Sequence, residues 1–416
     1  MAAARLAAVL QGASVKSLCH ARRAEYALIT ETLKRRPLLE RALSHAGVGE
    51  ADNPRLHAAH LLLAHEALYG RGLRHAAVRD LARASHALPA LRTLLRWSRA
   101  LLKAKSAAGT RRPPPAAALP RYARVNTLRS SVDGACAALV REGYTLLAAP
   151  ASPSAPGPGE AWVDREVPSL LVLPPRAELH GHAMVRRAAL VLQEKASAMA
   201  PVALAPAAGG LVVDACAAPG NKTSQLAALA AEGRVVACER DGARAATLRR
   251  RVEEAAEGRV SVRCVDFLQL DPQSEEMRGV ESVLLDPSCS GSGIVERGAA
   301  HGAAEHPSPS DGAARLSALA AMQLRLLRHA LSFPAARAVV YSTCSVHPIE
   351  NELVVAAALG AARGWRLAAP AALRRWKCRG LPLGGLDAEQ CERLVRAAPF
   401  VQTNGFFIAR FERCGP

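Results

Sequence analysis

Two stretches, LLDPSCSGSG at 284–293 and VVYSTCS at 339–345, each end an apolar run in a loop of small residues that holds one cysteine. A cysteine so placed can be a nucleophile, a metal ligand or a buried thiol. Taken singly, a free cysteine is most often a small buried hydrophobe. Here the same form occurs twice, and both loops follow expected strand ends, where open α/β sheets bind their ligands. Neither Cys289 nor Cys344 has a second cysteine beside it, and His347 alone is close in sequence, so no metal site is expected. His347 reads as an exposed loop residue. A thiolate nucleophile is the sharper reading, activated by a helix N-terminus or a nearby cation.

A third stretch, DACAAPGNKT at 214–223, joins an acid to a turn of small residues and an expected helix start. Small residues let a ligand approach the backbone, and amides at a helix N-terminus favour a carboxylate or phosphate. The stretch is neither GxGxxG nor GxxxxGK[ST], which disfavours a nicotinamide enzyme and a P-loop protein. Glu239 ends the next expected strand and could accept both hydroxyls of a ribose. Asp266 ends the one after and could meet the base. A lone acid is usually a solvated loop carboxylate, but three at successive strand ends point to an adenosine with a compact charged tail. S-adenosylmethionine fits that description.

These residues need a scaffold, and the chain supplies one from about residue 186. The runs 211–217, 234–240, 260–266, 280–287, 336–344 and 405–413 read as strands. Helical segments alternate with them, the first expected to be capped by Thr223 or Ser224, with others over 313–331 and 349–359. Such alternation implies a parallel sheet covered on both faces. Residues 1–110 read as helical, with apolar residues at helical spacing in 25–43 and 55–70. RRPPPAAALP at 111–120 reads as an extended linker. A small mixed segment follows to about 185, interrupted by ASPSAPGPGE at 151–160. The loop 301–312 is expected to be mobile and outside the sheet.

Composition narrows the partners. Lys and Arg outnumber Asp and Glu by 54 to 36 in 416 residues, a formal charge of +18 that suggests nucleic acid. The ten scattered cysteines form no CxxC pair, which argues for a reducing compartment and against a disulfide framework. No run of about 18 apolar residues suggests a membrane span. The first 24 residues carry Arg5, Lys16, Arg22 and Arg23 but no acid, which leaves a mitochondrial transit peptide as the alternative to an ordinary first helix. A monomer is the simplest expectation.

At these positions the chain resembles the Sun-domain (Fmu-like) RNA cytosine-5 methyltransferases. The shared motifs are RVNT at 124–127, LQEKAS at 192–197, the stretch from 214 to 229, DPSCSGSG at 286–293, YSTCSVHPIENE at 341–352 and GFF at 405–407. Asn221 and Ser288 are most similar to the fifth subfamily of animals, which acts on large-subunit ribosomal RNA. The resemblance implies a Rossmann-like, class I S-adenosylmethionine-dependent methyltransferase domain over 186–416. Before it stand an α+β RNA-binding segment with its linker over 111–185 and a helical domain over 1–110. It also implies roles: Cys344 as the nucleophile on cytosine C6, Cys289 in product release, and Asp286 on the base edge or the cofactor's amino group. The implied cofactor contacts are Cys216, Ala217, Ala218, Pro219, Gly220, Asn221, Lys222, Glu239, Arg244, Asp266 and Asp286. The expected partner is large-subunit rRNA in the nucleolus. The alternatives are a tRNA-modifying or mitochondrial enzyme, and a catalytically silent ribosome-assembly factor, which would have no use for a thiol pair. Residues 1–110 and the arm at about 365–395 match the family weakly, so the reaction is better defined than the RNA.

Overall fold

The computed structural model describes residues 54–68 and 119–414, apart from 257, 295–308 and 399–400, together with positions 4, 6–8, 29 and 32. The helical segment expected at 25–43, the linker up to residue 118, most of the acid-poor first 24 residues and residues 301–308 of the expected loop 301–312 lie outside the described residues, whereas 309–312 are helical rather than loop. The chain divides into two compact units, Met1–Pro115 and Ala116–Pro416. In the first, helix α1 (Pro54–Leu68) buries Ala58, Ala59, Leu61, Leu62 and Leu63.

The second unit contains two sheets. The smaller runs in the order β2 (Thr145–Leu146), β3 (Glu160–Val163), β4 (Leu170–Leu173), β1 (Arg121–Val125), β5 (Leu190–Leu192). Helix α2 (Val132–Arg141) starts on a Ser131 cap and buries Ala135 and Leu139 in this sheet's own core. The short α3 (Ala183–Arg186) precedes β5, which pairs antiparallel with β1. The small sheet thus extends past residue 185, where the pattern of the sequence changes.

The larger sheet contains β6 (Leu211–Asp214), β7 (Arg234–Cys238), β8 (Val260–Arg263), β9 (Val280–Leu285), β10 (Ala338–Thr343), β11 (Trp365–Ala368) and β13 (Phe406–Arg413) in the order β11-β13-β10-β9-β6-β7-β8; the remaining strand, β12 (Val395–Ala397), pairs with β13. The five strands from β10 to β8 are parallel, as the alternating pattern requires. The sheet is not wholly parallel, however: β13 runs antiparallel to β10 and to β11. β13 enters between β10 and β11, two strands laid down earlier in the chain, and helix–strand alternation in the sequence does not reveal such an insertion.

Side chains of successive residues face opposite ways in each strand. Val212, Val235 and Val340 join α4 (Lys195–Leu204), α5 (Asn221–Leu229) and α6 (Gly242–Ala255) in one core layer. Val213, Val236 and Val339 join α7 (Pro309–Leu331) and α8 (Glu352–Leu359) in the other. Both faces are therefore covered, and each fully buried leucine, such as Leu226 or Leu327, contributes about 1.5–3 kcal/mol. A last short helix, α9 (Ala388–Arg393), carries a capping box at Asp387.

Candidate active site

Strand β6 has β9 on one side and β7 on the other, although β7 follows it in the chain. Ligands bind at such a switch point, beyond the carboxyl ends of the strands. The catalytic and cofactor candidates cluster there. Asp214 is the last residue of β6, Glu239 follows β7, Asp286 follows β9 and Cys344 follows β10.

The strand over 211–217 ends at Asp214, and the turn after it delivers α5. Its cap is Gly220 rather than Thr223 or Ser224. Gly220 has φ 108°, a left-handed conformation that favours glycine, and a Cβ there would lie 3.1 Å from Leu248. Thr223 is used differently: its hydroxyl donates to Asp214 at 2.7 Å. Burial pushes the Asp214 carboxyl up to about 6, against the pull of the Thr223 hydroxyl and Lys222. The Cys216 thiol is also pushed well above its ordinary value by burial, so it is an inert part of the turn.

Glu239 is buried, with Oε1 accepting the Asp241 amide at 3.0 Å and Oε2 lying 3.3 Å from Arg244 Nη2. The same guanidinium group donates to the Ala218 carbonyl at 3.1 Å, which ties the β7 end to the small-residue turn. Asp266 accepts the Leu268 amide at 3.0 Å on Oδ1 and caps a short turn beyond β8. No hydrogen bond joins Asp266 to the other candidates among the described residues.

Lys222, from the first turn of α5, lies 2.7 Å from Asp286 Oδ2 and 5.6 Å from the Phe406 ring centre. The buried Ser342 hydroxyl donates to Asp286 Oδ1 at 2.6 Å. Asp286 is thus held by a cation from one strand's loop and a hydroxyl from another strand. Because β9 and β10 are parallel neighbours, their following loops lie side by side. The Cys289 and Cys344 sulfurs are 3.1 Å apart. That contact holds the Cys344 thiol below its ordinary value and drives Cys289 far above its own. Lys222 acts on the Cys344 thiol in the same downward direction. Among the described residues no group of His, Cys, Asp and Glu is arranged to hold a metal. His347, expected to be exposed, is half-buried, and its amide donates to the Ser345 hydroxyl at 3.0 Å.

Reasoning from sequence passed over the structural work of two motifs. Arg124 of RVNT is buried in β1, and its guanidinium reaches across to α5. It donates to Gln193 Oε1 at 2.7 Å, Ser224 Oγ at 2.8 Å and the Asn221 carbonyl at 3.3 Å. Burial pulls it down to about 9, which leaves it a cation at neutral pH. Asn126 donates to the Ala255 carbonyl at 2.8 Å, so RVNT fastens the small sheet to α5 and α6. The signal was an arginine inside a run that otherwise reads as buried strand. In GFF, the Gly405 amide donates to the Gly293 carbonyl at 2.8 Å, and the Gly293 amide donates to the Cys344 carbonyl at 2.9 Å. The closing strand thereby secures both cysteine loops.

The sheet order, its antiparallel β13 and the acids at the β6 and β7 ends define the Rossmann-like methyltransferase fold. A methyltransferase homolog protein of Pyrococcus horikoshii superposes with a TM-score of 0.56 over 91% of this chain and 99% of its own, at 23% identity, which shows the fold alone. Residues 201–412 match the family model for the 16S rRNA methyltransferase RsmB/F, and residues 119–193 match that for the ferredoxin-like domain of NOL1/NOP2/Sun domain family member 5. A 28S rRNA (cytosine-C(5))-methyltransferase of Mus musculus is 37% identical over 398 residues, 93% of this chain and 83% of its own. The 25S rRNA (cytosine-C(5))-methyltransferase NSUN5 of Arabidopsis thaliana is 41% identical over 300 residues, 71% of this chain; the match spans 49% of that relative's length. The chain belongs to the Sun-domain family of RNA cytosine-5 methyltransferases.

Proposed function

We propose that this protein methylates C5 of a cytosine in large-subunit ribosomal RNA, using S-adenosylmethionine and a covalent bond from Cys344 to C6. The observation that carries this reading is the thiol pair 3.1 Å apart at the ends of two adjacent parallel strands, with the Cys344 thiol held below its ordinary value. The names borne by the Mus musculus and Arabidopsis relatives support the RNA class.

The donor set fits the cofactor. Glu239 presents a buried carboxylate at the position that takes ribose hydroxyls, and Asp266 stands one strand further out for the base. The turn 216–222, with its small residues and the start of α5, suits a compact charged tail. Asp214 and Asp286 favour a cationic group between them. When bound, S-adenosylmethionine supplies an electrophilic methyl group.

The chain's own residues make the base reactive. C5 of cytosine is a poor nucleophile until something adds across the 5,6 double bond. The Cys344 thiolate forms a bond to C6, and the electron pair of the double bond becomes available at C5. Asp286, held by Lys222 and Ser342, meets the base edge or the cofactor's amino group. C5 would take the methyl group with its electron pair as the donor's sulfonium is left a neutral thioether; the C5 proton then passes to solvent water or hydroxide, the double bond re-forms and Cys344 departs as the thiolate. Cys289, in contact with that sulfur, assists this release. A stacked cytosine hides C6, so the target is looped or flipped out of a structured RNA.

With ribosomal RNA as substrate, the nucleolus is the compartment that this reading favours. The test is bisulfite mapping of cellular RNA with and without the protein. Loss of one methylated cytosine from large-subunit rRNA is expected; a lost site in tRNA or mitochondrial RNA, or no lost site at all, would overturn the assignment.

A further inference from the structure

Glu350 lies six residues beyond Cys344, at the end of the short turn Pro348–Glu350, and is fully buried. Its Oε1 accepts the Ser290 amide at 2.9 Å and the Gln323 side-chain amide at 3.0 Å, and its Oε2 accepts the Ser345 hydroxyl at 2.5 Å. Ser290 is the residue after Cys289, and Ser345 is the residue after Cys344. One carboxylate therefore grips the chain immediately beyond each thiol. Gln323, from α7, also donates to the Ser288 carbonyl at 3.0 Å, so Cys289 is fixed on both sides. The anchor is itself fixed: the buried Tyr341 hydroxyl donates to the Glu350 carbonyl at 2.5 Å, and Gln323 Oε1 lies 3.2 Å from the same hydroxyl oxygen.

The energetics favour a stiff clamp. Burial opposes the charge on Glu350, yet the donors from Ser290, Ser345 and Gln323 outweigh it and hold the carboxyl below its ordinary value. Hydrogen bonds to an ionised acceptor are roughly twice as strong as neutral ones, and a buried carboxylate that lost them would be left uncompensated. Movement of either loop away from Glu350 is thus resisted more strongly than two neutral contacts would resist it.

We infer that Glu350 is a positioning residue that clamps the Cys289 and Cys344 loops to one anchor and so sets the distance and direction between the two thiols. The inference rests on the roles proposed for the two cysteines, but its effect is readable on the thiols without RNA. Cys344 is faced by Cys289, Asp286 and Lys222. The last two are held by each other and by Ser342, so loosening the clamp alters the Cys289 contact first.

The test is Glu350→Gln, which keeps the shape and removes the charge, with thermal melting to establish that the variant folds. The pH dependence of Cys344 alkylation by iodoacetamide is measured on free enzyme, and kcat and KM for RNA are measured separately. The alkylation midpoint is expected to rise by about one pH unit as the Cys289 contact loosens. With it, kcat is expected to fall about ten- to a hundred-fold while KM for RNA stays within about two-fold, because alignment rather than binding is lost. A folded variant whose midpoint remains at the wild-type pH overturns the inference, whatever its kcat. If Glu350→Gln does not fold, Ser345→Ala cuts the Cys344 branch alone and is judged by the same midpoint. Failure of the wild type to methylate RNA would sink the proposed function and leave the alkylation result standing.

Discussion

The sulfurs of Cys289 and Cys344 lie 3.1 Å apart although 55 positions separate them in the chain. They meet because β9 and β10 are adjacent and parallel, so the loops leaving them emerge at the same edge. In that contact the Cys344 thiol is held below its ordinary value and the Cys289 thiol above its own.

The first prediction follows from that difference. Cys289→Ala should accumulate a covalent protein–RNA adduct, because attack proceeds and release is impaired. Cys344→Ala should form none. Denaturing gels of enzyme incubated with RNA and cofactor read the difference. An adduct that persists in Cys344→Ala and vanishes in Cys289→Ala would reverse the roles.

The second concerns pH. The rate of adduct formation follows the thiolate fraction of Cys344, which the Cys289 contact enlarges at a given pH by lowering the Cys344 pKa. Removing the donor raises that pKa, so the rising limb of the rate against pH should move upward in Cys289→Ala. Single-turnover adduct formation at several pH values measures it without interference from slow release.

Asp214 gives a stability prediction with a definite sign. Its folded value is about 6, above the 3.8 of a free aspartate, so the native state binds a proton that the unfolded chain has released. That contribution is fully present below about pH 4 and is lost as pH rises through about 6. Asp214→Asn does not titrate. Its melting temperature relative to wild type should rise across this window, with a gain of up to about 3 kcal/mol, and then level off. A constant offset between the two proteins would refute it. Methyl transfer should nonetheless fall, since the carboxylate at the cofactor turn is gone.

Gly293 is where the two cysteine loops and β13 come closest. A Cβ there would stand 2.1 Å from the Gly405 carbonyl oxygen and 2.9 Å from that of Cys344. Both are backbone atoms that cannot swing aside. Gly293→Ala should therefore cost about 1–3 kcal/mol in thermal stability and depress kcat more than stability alone explains. Wild-type kcat in this variant would show that the loops tolerate separation.

The candidate site was readable in the sequence wherever a residue type announced itself. Two cysteines in small-residue loops, and Asp214 and Glu239 at the ends of apolar runs, stand out without coordinates. Thr223 did not: cap preference alone suggested a helix start, yet its hydroxyl serves Asp214 while Gly220 makes the cap. Glu350 and Gln323 were equally silent. Glu350 lies in a shared motif and at the start of an expected helix, and Gln323 lies on a helix, yet both look solvated until folding buries them against two loops. Arg124 belonged to a recognised motif, but its reach to Ser224, a hundred positions away, could not be read from it.

By itself the amino-acid sequence determined the class of chemistry and the alternation of strands and helices, because residue type sets reactivity and local periodicity sets secondary structure. How close the two thiols come, which carboxylate accepts from both loops and where β13 runs antiparallel to β10 were decided only by the tertiary structure. Those properties depend on distance and burial between residues far apart in the chain, and only the packed sheet brings them together.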